Sequence, residues 1–188
     1  MSREKNITSV NDLFTWEPTE VQSWLDSAWS EQKPALDEAS WLGLAEVAAT
    51  MANRSNDLEW ARVSIRVYEW LHGVDSRMGY DRSAMNLRAS MIRKLGGVSG
   101  DPLLDLQVIL DWFWNNVPMS ITEARFAIPN CQKTIAEGNV KRPEDLELCR
   151  KLRRIKNDLN LLWWLMEDDI LVPDEELKAW VELKPELP

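Results

Sequence analysis

The stretch ASWLGLAEVAATMANRSNDLEWARVSIRVYEWL, residues 39–71, decides the fold. Trp41, Leu44, Ala45, Ala48 and Ala52 recur at steps of three and four, the spacing of one face of an α-helix. Trp60, Val63, Val67, Trp70 and Leu71 repeat that pattern after the polar turn Asn53, Arg54, Ser55. Two amphipathic helices joined by so short a turn fold back on one another as an antiparallel hairpin. Just upstream, Trp24 and Trp29 share a stripe with Val21, Leu25 and Ala28. With eleven tryptophans in 188 residues, the chain devotes its largest side chains to packing helices together.

Helix punctuation extends this reading along the chain. Thr19 with Gln22 and Ser120 with Glu123 have capping-box spacing, and Pro34, Pro102 and Pro143 suit first-turn positions. Asn56 and Asp57 open one helix, Asp81 or a neighbour opens another, and Gly96 and Gly97 close it. The signals predict eight helices, over 18–30, 34–53, 57–72, 80–95, 102–116, 120–137 with a break at Pro129, 143–168 and 173–182. No segment alternates with period two, so the fold class is all-α with strand content near nil, either an array of antiparallel helical hairpins or an irregular bundle. One helical domain is expected over 1–188, with loose ends at 1–14 and 184–188. The core is expected to contain Trp41, Leu44, Ala48, Val63, Val67, Trp70, Leu106, Leu110, Leu152, Leu159 and Leu162.

Set against itself at an offset of 43 residues, the chain places Trp41 on Ala84, Leu44 on Leu87, Val67 on Leu110 and Trp70 on Phe113, which implies repeated hairpins. On Trp41, Leu44, Ala45 and Ala48, followed by Ala61, the stretch 39–71 resembles a tetratricopeptide-type helix pair. It departs from that family in its Trp41-to-Ala61 spacing, about four residues longer, and in lacking a closing proline. The resemblance implies an α-solenoid-like array of hairpins acting as a protein-binding scaffold with a concave surface.

Charge and rare residues narrow the function classes. A net charge of −9 argues against broad adhesion to nucleic acid or to an anionic membrane. No run approaches the roughly 18 apolar residues of a membrane span, and the start MSREKNITSVND lacks a signal peptide's apolar centre, so the expected location is cytoplasmic. Cys131 and Cys149 are distant in sequence with no histidine near either, and read as reduced structural thiols. His72 is the only histidine, at a helix end where its charge suits the dipole. These residues offer no metal-ligand spacing and no nucleophile–base pair, so the expectation is a non-enzyme without cofactor or metal.

The segment 143–168 carries the best functional signal. Leu148, Leu152, Ile155, Leu159, Leu162 and Met166 form a seam of alternating four and three residue steps, and the stretch from Leu161 to Met166, apolar nearly all round, is expected in the core or an interface, with Trp163 and Trp164 pointing inward. Its first half is basic. Lys141, Arg142, Arg150, Lys151, Arg153, Arg154 and Lys156 set seven cations in 16 residues against Glu144, Asp145 and Glu147. Arg150, Arg153, Arg154 and Asn157 share one helix face. With Lys141 and Arg142 they are the candidate docking surface for a partner protein's acidic segment, and the hairpin surface carrying Trp60 and Tyr68 is the reserve. The expected role is an adaptor or regulatory subunit of a larger assembly, of the kind found in bacterial regulatory and defence complexes. A small-molecule-binding or nucleic-acid-binding helical module is the alternative, and self-association is open.

Overall fold

Eight α-helices and a 3-10 helix, Val10–Thr15, make up the described residues, 9–30, 36–138 and 142–183, of a computed structural model of the chain. The helices are α1 Pro18–Ser30, α2 Glu38–Ser55, α3 Leu58–Val74, α4 Tyr80–Leu95, α5 Pro102–Asn116, α6 Ile121–Ala136, α7 Pro143–Glu167 and α8 Glu175–Glu182. The fold is all-α, with no strand among the described residues. The chain divides into two compact units, one up to Asp105 and one from Leu106 onward.

In the first unit, α2 and α3 form the hairpin expected of residues 39–71. Asp37 caps α2 by accepting from the Ser40 backbone N–H at 2.8 Å, and α2 ends on Asn56 at a left-handed φ of 52°. Asp57 then accepts from the Glu59 N–H and starts α3. Pro34 falls outside the described residues, and the cap that starts α2 is Asp37 instead. Ala45, Ala48, Ala52 and Ala61 are wholly buried, and these small side chains let the two helices come close enough for the Ser64 hydroxyl to donate to the Ala45 carbonyl at 2.7 Å. Helices α1 and α4 pack on α3, and the 3-10 helix packs on α2, so residues 10–14 belong to a folded element where a loose end was expected.

Four tryptophans meet on this framework. The Trp41 ring lies 5.4 Å from Trp24, 6.2 Å from Trp29 and 5.0 Å from Trp70, and the Arg66 guanidinium sits 5.1 Å over Trp29. Trp41 is fully buried, whereas Trp70, expected in the core, is only half-buried, as is Leu110 in the second unit. The remaining expected core residues are buried. The proposed box of Thr19 with Gln22 is absent, because the Gln22 amide donates to Glu59 at 2.7 Å across the fold and the Glu20 carboxylate accepts from the Glu17 N–H instead.

In the second unit, Ser120 and Glu123 close a full capping box at the start of α6. The Ser120 backbone N–H and hydroxyl both donate to the Glu123 carboxylate and hold it below its usual pKa. Helix α6 runs through Pro129 without the expected break. Pro129 and Arg125 are both exposed, so water can take the carbonyl that the missing N–H leaves unpaired. Only Ala124, Ala127, Ile128 and Cys131 of α6 are buried, a thin apolar anchor. A covalent one supplements it. Cys131 and Cys149, expected as separate reduced thiols, are bonded to each other with Cα atoms 5.7 Å apart, joining α6 to α7. Two residues distant in sequence are brought together by the packing of α6 against α7.

Because the bond closes a loop of 18 residues, reducing it is expected to destabilise the second unit by about 3 kcal/mol. Denaturant unfolding with and without dithiothreitol measures this. The midpoint should fall in the native chain and stay fixed in a Cys131→Ser, Cys149→Ser variant, and a native midpoint indifferent to reductant would contradict the expectation.

Candidate functional site

Helix α7, 25 residues long, forms the site. Arg142 precedes it in an extended conformation and Pro143 takes the first turn, where a missing N–H costs nothing, while Glu144 and Asp145 complement the helix dipole. Leu152, Ile155, Leu159 and Leu162 are buried as the seam requires, and the opposite face stays exposed.

The basic residues divide on this scaffold. Arg142 is engaged locally, its guanidinium donating to both oxygens of Asp145 at 2.9 and 3.1 Å, and that pairing raises its pKa. Lys141 lies outside the described residues. Arg150, Arg153, Arg154 and Asn157 are all exposed on one side. The Arg150 guanidinium is 3.8 Å from Glu147, too long for a hydrogen bond, and Arg154 donates to Asn116 at a stretched 3.4 Å. Arg153 makes no ion pair among the described residues.

Two corrections concern aromatic residues. Trp60 and Tyr68, the reserve surface, are buried at 5% and 7% exposure, because both lie on the face of α3 that turns into the first unit. Burial and, after it, the charge of Glu46 push the Tyr68 phenol above its usual pKa. Trp163 and Trp164 instead remain 43% and 40% exposed, since Leu161, Leu162 and Leu165 take the buried positions of that stretch. The Trp163 indole N–H donates to Glu167 at 2.7 Å, one turn on.

The exposed face is longer than the sequence indicated. From Leu146 through Arg150, Arg153, Asn157 and Asn160 to Trp164, exposed residues follow one another at steps of four, three, four, three and four. Continuing the three-and-four spacing past Asn157 was the signal that leads to Asn160 and Trp164. Beside the basic face an open cleft of about 530 Å³ lies between the starts of α6 and α7, with Glu123, Glu144, Glu147 and Lys151 around an apolar floor of Met119 and Leu148.

Little else is arranged for chemistry. The His72 Nδ1 lies 3.6 Å from an Asp81 carboxylate oxygen, beyond hydrogen-bond range, and has no acceptor among the described residues. No cluster of three or more metal-ligating side chains occurs among the described residues, and no described helix is long and apolar enough to cross a membrane. Comparison of the chain with family models, curated proteins and solved structures finds no match.

Proposed function

We propose that this chain is a non-catalytic docking module, a small adaptor or regulatory subunit that receives an acidic segment of a partner protein on the exposed face of α7. One observation carries the reading: Arg150, Arg153 and Arg154 stand exposed together with a single loose carboxylate contact among them, Glu147 at 3.8 Å from Arg150, in a protein of net charge −9. If uniform solubility were their role, the surplus acids elsewhere would neutralise them. Guanidinium forks suit paired, bidentate contacts to carboxylates, and three on one rigid helix fix both position and register. The α2–α3 hairpin, with its tetratricopeptide-like pattern, fits a scaffold of this kind.

Nucleic acid is a weaker fit, because the cations are confined to one short stretch of an acidic protein and make a small electrostatic footprint. A cytoplasmic setting, with a regulatory or defence assembly as context, belongs to the same proposal. There the reducing poise opposes the Cys131–Cys149 bond. Thiol titration of protein isolated without reductant reads which form the chain holds.

The Arg150→Glu, Arg153→Glu, Arg154→Glu variant tests the reading. It should fold as the parent does, by circular dichroism, and lose a partner that the parent captures from its native host, identified by mass spectrometry. Capture should weaken as salt rises. An identical set of captured proteins at all salt concentrations would move the interface off this face.

A further inference from the structure

The exposed stripe on α7 also defines the shape of what it receives. Leu146, Arg150, Arg153, Asn157, Asn160 and Trp164 follow the alternation of four and three that lets one helix lie along another. The buried seam of α7 shows the same alternation and is already occupied within the second unit. Along the exposed stripe the chemistry is graded, with apolar anchors at both ends, Leu146 at 38% and Trp164 at 40% exposure, two arginines next to the first anchor and two asparagines next to the second. Its 19 residues, Leu146 to Trp164, span about 27 Å from first to last.

We infer that the occupant is an amphipathic helix of another protein, about five turns long, with apolar side chains at its two ends and carboxylates between them, an inference that rests on the docking reading of α7. Neighbouring positions on the stripe are about 5.4 Å apart along the axis, as they are on the face of a second helix. An extended acidic peptide presents same-face side chains about 6.7 Å apart and drifts out of register by about 6 Å over five intervals. The arginines meet the carboxylates, the asparagines take polar side chains, and Trp164 supplies the large aromatic contact that most often anchors such an interface.

A second copy of this chain fits less well. Antiparallel copies would set Leu146 against Trp164, Arg150 against Asn160 and Arg153 against Asn157, and this register puts the arginines of both copies in one dehydrated seam that presents them asparagine in place of carboxylate.

Two synthetic peptides decide the matter, titrated against the full chain by calorimetry. One is a 21-residue amphipathic helix with leucines at both ends and glutamates at three and four residue steps between. The other has the same charge, with two central outward-facing residues replaced by proline. The helical peptide is expected to bind, the proline peptide at least tenfold more weakly, and Trp164→Ala to lower affinity tenfold while Trp163→Ala does not. Equal binding of both peptides, abolished by the triple arginine reversal, would overturn the helical occupant and leave the docking reading standing. Binding that survives the reversal, or no binding by either peptide, overturns both. If sedimentation shows the native chain dimerising and Trp164→Ala monomeric, a second copy is the occupant and this inference fails. Should the triple variant unfold, Arg153→Glu alone carries the same comparison.

Discussion

Replacing Trp41 by alanine is expected to cost the first unit about 3–5 kcal/mol of stability, among the largest effects of any single substitution in the chain. Trp41 has no exposed surface and touches three other indoles, Trp24, Trp29 and Trp70, so its removal leaves a cavity that helices α1, α2 and α3 line jointly. Its indole N–H has no hydrogen-bond acceptor among the described residues, so truncation strands no polar group and the loss is one of packing. Trp41→Phe should therefore recover most of the stability, which a lost hydrogen bond would not allow. Urea unfolding gives the free energies, and near-ultraviolet circular dichroism should lose the signal of the coupled rings. Trp70→Ala should cost less than Trp41→Ala, because the Trp70 ring is half-buried and water already reaches part of it. A loss below about 1 kcal/mol for Trp41→Ala would place the core of this unit elsewhere.

Why helix boundaries could be read from the sequence, while the shape of the site could not, comes down to the range of the interactions involved. Caps are local. Ser120 with Glu123, Pro102, Pro143 and the glycine pair at 96 and 97 each act within one turn, and the helices begin or end where those residues stand. The same logic failed at Thr19 and Gln22, where a side chain 37 residues away in sequence competes for Gln22. It failed at Pro129 as well, where exposure decides whether a lost hydrogen bond breaks the helix. The arginines of α7 were legible as one face because residues three and four apart are neighbours on any helix. Trp163 and Trp164 were not, because a segment apolar on every side does not say which side its neighbours will leave uncovered. The pairing of Cys131 with Cys149 required knowing that α6 and α7 turn back on each other.

Asp105 is the residue whose importance the sequence hid most completely, since an acid in the first turn of a helix reads as a partner for the dipole and nothing more. In the structure it is fully buried and accepts from four groups: the Val98 N–H at 2.7 Å, the Ser99 N–H and hydroxyl at 2.9 Å each, and an Arg88 guanidinium nitrogen at 3.0 Å. Arg88 continues to Glu69 at 3.0 Å, and Arg62 donates to the Val98 carbonyl, so one carboxylate ties the turn between α4 and α5 to both α3 and α4. Gly97 completes the arrangement. Its φ of +112° suits glycine, and a Cβ there would come within 2.5 Å of the Asp105 carboxylate. Asp105→Ala is expected to destabilise the first unit by about 3–5 kcal/mol, because it strands two backbone donors and leaves the largely buried Arg88 charge with the half-exposed Glu69 alone. Combining it with Arg88→Met should restore part of the loss, since removing both charges costs less than orphaning one. Urea unfolding of the two single variants and the double variant forms the cycle. Purely additive losses would mean that the Asp105 carboxylate stabilises the turn through its backbone donors alone, with no contribution from the pairing to Arg88.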